Sequence, residues 1–111
     1  MSASPERLSS RVIETLATAE PPFVSVVSGW EYGLKRQRNP VDFKESFATL
    51  LQDFEFRGLD LSFDLHRYAE DLPAVHKDPF DRMLVAQAIG FDLVLVTKDA
   101  VMRRYPVETL W

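Results

Sequence analysis

Cysteine is absent from the 111 residues. That omission removes disulfides, thiolate nucleophiles and Cys-ligated zinc or iron–sulfur centres together. Histidine is scarce. His66 and His76 are the only two and lack a paired metal-ligand spacing, so both read as surface or loop residues, and any metal must be held by oxygen or by two histidines at most. Glycine is limited to four, with no glycine-rich phosphate loop, and no serine sits in a nucleophile-elbow pattern. Apolar runs stop after a few residues, which excludes a membrane span, and the N-terminus lacks the basic flank and apolar stretch of a signal peptide. A cytoplasmic location is expected. Positive charge is in deficit, 13 Lys and Arg against 17 Asp and Glu for a net charge of −4. This argues against a broad basic face for nucleic acid but not against an acidic site that recruits divalent cations to meet phosphate.

What is present fits one globular domain over residues 1–111, with 46% apolar residues and a core of about two layers. Ser4 and Pro5 open a helix with Leu8, Val12, Ile13 and Leu16 at helical spacing, and Glu20-Pro21-Pro22 ends it. Phe23 to Val27 is rich in β-branched residues and reads as a buried strand. Ser28 then caps a helix, with Glu31 at the capping-box position, and Lys35-Arg36-Gln37-Arg38 forms a solvated basic end. Asp42 and Glu45 repeat the box ahead of Phe43, Phe47, Leu50, Leu51 and Phe54, which predicts a second amphipathic helix. Phe56 to Leu61 suits a strand, Ser62 to Leu72 a short helix, and Val107 to Trp111 a last edge strand.

The most informative stretch runs from His76 to Asp99. Asp78 is an N-cap before Pro79 at the first helical position, and Gly90 is placed to close that helix in a left-handed conformation. Leu93-Val94-Leu95-Val96 has no polar alternation, as in a strand covered on both faces of a parallel sheet. Asp99 follows its carboxyl end and can also cap a helical turn over Ala100 to Tyr105. Strands alternating with helices predict an α/β domain with a mainly parallel sheet, whose strand ends share one rim. Glu31, Asp81 and Asp99 are expected to converge there. Carboxylates without cysteine suit Mg²⁺ or Mn²⁺, and the matching reaction class is phosphodiester hydrolysis. Each acid also has a purely structural reading: Glu31 in a capping box, Asp81 in the favourable first turn of a helix, and Asp78 and Asp99 as caps. Trp30 and Phe80 read as core, while Arg82, Lys98, Arg103 and Arg104 are placed to flank the crevice and touch phosphate.

The run from His76 through Asp-Pro-Phe-Asp-Arg to Ala88, then Leu93 to Asp99, then Tyr105-Pro106-Val107 and the closing Leu110-Trp111, resembles the C-terminal half of PIN-domain proteins of the VapC toxin type. Phe23 to Glu31 is similar to the second strand and following helix of that family. The resemblance implies a PIN-like three-layer α/β/α domain and a Mg²⁺- or Mn²⁺-dependent endoribonuclease. It also implies an RNA substrate, a small antitoxin protein as partner and a homodimer. By the same resemblance Glu31, Asp81 and Asp99 are the catalytic metal ligands, and Thr97 matches the polar residue before the last acid. Thr97, Arg82 and Lys98 are the substrate-contact candidates. One departure stands out. Only Met1 to Ser4 precede the helix at Pro5 and no aspartate occurs before Asp42, so the family's first strand and its metal-binding acid have no counterpart. In the family that strand lies mid-sheet, and its loss predicts open strand edges and strand-exchanged or self-associated oligomers. The alternative expectation is a catalytically inactive PIN-like binding or dimerisation module.

Overall fold

The structure, a computed structural model, describes residues 9–18, 20–75 and 77–111. The expected helix start at Ser4 and Pro5, and His76, lie outside them. Helix α1 spans Ser10–Thr18. The Ser9 hydroxyl accepts from the Val12 N–H at 3.2 Å, an N-cap contact, and Val12 is fully buried while Ile13 faces out.

Strand β1 is Phe23–Ser25 and helix α2 is Val26–Arg38, so the boundary falls earlier than the β-branched run predicts. The cause is Ser25. Its hydroxyl caps α2 by accepting from the Val27 N–H at 3.0 Å and donates to the Gln87 side-chain oxygen. Capping thereby outweighs the β preference of Val26 and Val27. A capping box counted from Ser25 would put its acid at position 28, so Glu31 is not a box residue. Ser28 is instead buried inside the helix.

The predicted long helix after Asp42 is also corrected. Only α3, Phe47–Leu50, is helical, and its cap is Ser46, whose hydroxyl accepts from Thr49 N at 3.1 Å. The carbonyls of Lys44 and Glu45 accept from Arg36 and from the Tyr32 hydroxyl, groups on α2, instead of from a following helical turn. Phe43 and Phe47 pack separately on the Tyr32 ring, with centroids 5.6 and 5.5 Å away. The aromatic stripe is real in sequence, but α2 takes it up residue by residue.

Strand β2, Arg57–Leu59, pairs in parallel with β1, Phe23 opposite Arg57. Ser62 caps a 3-10 turn that runs into α4, His66–Glu70. Helix α5, Pro79–Gly90, starts on Asp78 as the sequence predicts. Its end differs. Gly90 does not adopt a left-handed conformation; Asp92 does, with φ 53°, which a short polar side chain tolerates better than most. A Cβ at Gly90 would lie 3.0 Å from the Tyr68 ring, so the glycine serves the close packing of α4 on α5. Strand β3 is Leu95–Val96, parallel to β4, Thr109–Leu110. It is shorter than the apolar run because the Leu93 N–H bonds back to the Ala88 carbonyl at 2.7 Å, and Val94 is 47% exposed rather than covered on both faces. Asp99 caps a 3-10 turn over Ala100–Arg104.

The architecture is therefore α/β with parallel strands, in two separate pairs, β1–β2 and β3–β4. Helix α5 is its centre. Leu84 to Ala88 are all buried, and Leu84, Val85, Ala86 and Ala88 join Val27, Leu72, Leu95, Met102 and Tyr105 in the core. Among the described residues no helix is long and apolar enough to cross a membrane.

Candidate metal centre

Packing of α2 against α5 sets the position of the acids. Glu31 lies in the second turn of α2, on the side that also buries Val27 and Ser28, while the preceding residue, Trp30, is exposed. The core role expected for Trp30 is thus corrected; it is 68% exposed. Asp78 and Asp81 stand at the start of α5. One carboxylate oxygen from each of Glu31, Asp78 and Asp81 lies within 4.8 Å of the others, and Glu31 is buried while both aspartates are half-buried. Asp78 also caps α5, one oxygen accepting from Phe80 N at 2.9 Å and from Asp81 N at 3.4 Å. The amino end of a twelve-residue helix favours negative charge. Lys35, one turn after Glu31, brings its ammonium to 4.0 Å from the Glu31 carboxylate.

Of the expected trio, Glu31 and Asp81 come together. Asp99 stands outside the group of three found among the described residues: it is half-buried beyond β3, its carboxylate accepting from Val101 N at 3.0 Å and its N–H donating to the Thr97 hydroxyl at 3.1 Å. Lys98 is exposed. The Arg82 guanidinium donates to the Pro73 and Ala69 carbonyls at 3.0 and 3.4 Å, tying α5 to the end of α4. Sequence reasoning assigned Asp78 to capping and missed its nearness to Glu31. The signal was available in its spacing of three from Asp81, which puts both carboxylates at one helix end.

Three oxygen donors this close repel one another unless a cation or proton intervenes, and a hard divalent ion is the partner that such a donor set fits. A divalent ion held this way is one recurring arrangement for phosphate-ester chemistry. The chain belongs to the PIN domain family, whose model matches residues 3–108. No curated protein and no solved structure gives a match. Membership brings a nuclease-type function, general dependence on divalent metal and RNA as the general class of ligand.

Proposed function

We propose that this protein is a Mg²⁺- or Mn²⁺-dependent endoribonuclease of the VapC toxin type, with a small antitoxin as its regulatory partner, working in the cytoplasm as a homodimer. The observation that supports this most is the convergence of buried Glu31 with Asp78 and Asp81, because nothing in the capping of either helix requires Glu31 there. Glu31, Asp81 and Asp99 are the catalytic ligands in this reading, and Asp78 joins them. Capping uses one carboxylate oxygen and leaves the second for a cation, so Asp78 and Asp99 can serve both purposes. Held by these carboxylates, a divalent ion would supply Lewis-acid chemistry, lowering the pKa of water for attack and offsetting charge on the phosphate. The protein's own part is to fix the carboxylates, to present the positive end of α5 toward anionic charge and to contact RNA through Thr97, Lys98 and Arg82. No side chain acts as a covalent nucleophile.

The sequence before Asp42 holds no aspartate, so that stretch does not supply the fourth acid of the family pattern. The division of the strands into two pairs favours a second reading, a PIN-like module that binds a partner without cleaving RNA. One pair of measurements separates them. Purified protein should cleave RNA only with Mg²⁺ or Mn²⁺, and Asp81→Asn should abolish cleavage while leaving circular dichroism unchanged. Cleavage that survives this substitution refutes the assignment, whereas no cleavage and no Mn²⁺ binding by the unaltered protein supports the module.

A further inference from the structure

Helices α2 and α5 run past each other in opposite directions. Ser25, at the start of α2, meets Gln87 near the end of α5, Val27 shares the core with Leu84 and Val85, and Glu31 reaches Asp78 and Asp81 at the start of α5. Helix α2 continues to Arg38, so its last two turns overrun the amino end of α5. At 3.6 residues per turn, Lys35 lies about 40° and Arg38 about 20° around the helix from Glu31, at rises of about 6 and 10.5 Å. Both extend the face that buries Val27 and Glu31. Both are nevertheless exposed, because α5 stops short of them.

We infer that this overhang carries the RNA backbone next to the metal centre, Lys35 and Arg38 each holding a phosphate as the strand leads away from Glu31 along α2. On the nuclease reading, which this placement rests on, the strand gains a direction and two contacts. Basic residues in the last turn of a helix also complement its dipole, but that role does not account for where these two stand. A helical side chain leans toward the amino end of its helix, and the Lys35 ammonium follows that lean to 4.0 Å from the Glu31 carboxylate, away from the last carbonyls of α2. The local structural work falls to Arg36, which donates to the Lys44 carbonyl at 3.1 Å. Among the described residues no hydrogen bond or ion pair engages Arg38. Once the carboxylates hold a cation, the Lys35 ammonium is freed for phosphate. A chain of net charge −4 repels a polyanion, and two cations in series beside the positive end of α5 offset that repulsion where the strand must lie. An acidic peptide is the poorer occupant, since it meets the same cations but brings no phosphate to the neighbouring carboxylates and their ion.

The test follows the anisotropy of a fluorescein-labelled uridine dodecamer titrated with the full chain in EDTA, so that cleavage plays no part. For the unaltered protein the logarithm of the binding constant should fall linearly with that of the KCl concentration between about 50 and 200 mM, with a slope of about 0.7 per phosphate neutralised. Lys35→Gln and Arg38→Gln should each weaken binding and make the slope shallower by about 0.7, and the double variant by about 1.4. Glutamine keeps the helix propensity, so circular dichroism and Tm should not change. Mn²⁺ affinity in Lys35→Gln should be no weaker than in the unaltered protein, because the ammonium competes with the ion for Glu31. Arg11 is an exposed cation of α1, and Arg11→Gln should leave the slope as it was. Slopes indifferent to Lys35→Gln and Arg38→Gln, or changed equally by Arg11→Gln, overturn the inference. A labelled glutamate dodecamer that binds as tightly and loses affinity in the same two variants also overturns it, by assigning the overhang to an acidic protein partner. Slopes that shift as expected without any Mn²⁺-dependent cleavage support the RNA contacts and count against the nuclease reading alone.

Discussion

Gln87 is 2% exposed, and its amide joins three parts of the chain: the oxygen accepts from the Ser25 hydroxyl at the end of β1, and the nitrogen donates to the Asp60 carbonyl at 3.2 Å. Replacing it by leucine keeps the volume nearly constant, so the cost lies in the stranded polar groups rather than in a cavity. Asp60 is exposed and water can replace the lost donor there. Ser25 is buried; its oxygen keeps the Val27 N–H, but leaving its hydroxyl proton without an acceptor costs about 1 to 3 kcal/mol. A central value near 2 kcal/mol lowers Tm by roughly 8 °C in a chain of this size. Ser25→Ala removes the α2 cap, about 1 kcal/mol, and strands the Gln87 oxygen. With both changes neither partner is stranded, so the double variant should cost less than the sum of the two by about 1 kcal/mol. Urea denaturation of the four proteins measures the cycle. Additivity within about 0.3 kcal/mol would refute the claim that this contact locks the start of α2 to α5. Because those helices carry Glu31 and Asp81, Gln87→Leu should also weaken Mn²⁺ binding more than an equally destabilising change elsewhere.

Asp78 separates capping from ligation. Asp78→Asn keeps the cap oxygen and should leave stability within about 0.5 kcal/mol while weakening Mn²⁺ binding, whereas Asp78→Ala should lose about 1 kcal/mol of stability as well; Mn²⁺ titration of both, with thermal melts, checks this. Saturating Mn²⁺ at about a hundred times its Kd should stabilise the protein by about 2.7 kcal/mol, and a melt in which Glu31→Gln responds to Mn²⁺ as the unaltered protein does would remove Glu31 from the site. Asp92→Val puts a β-branched residue at φ 53° and should cost about 1 to 2 kcal/mol although the position is exposed; urea denaturation decides it.

The start of helix α5 was legible in the sequence to the residue, since Asp78, Pro79 and a run of core residues are local signals that agree with one another. The cap at Asp99 was legible for the same reason. The failures share one cause. Ser25 beat Ser28 as the cap of α2 because Gln87, far along the chain, is placed to accept its hydroxyl proton. The helix expected after Asp42 shrank to one turn because Tyr32 and Arg36 of α2 take up the carbonyls and rings that its own turns would have used.

By itself, then, the sequence determined the class: an oxygen-only chemistry, α/β alternation and acids at helix starts, because composition and capping are properties of short stretches. Only the tertiary structure decided that Asp78 joins Glu31 and Asp81 while Asp99 stands apart, and that the strands divide into two pairs. Those outcomes depend on how α2 and α5 pack and on which backbone edges find partners, and both are fixed by contacts between residues distant in the chain.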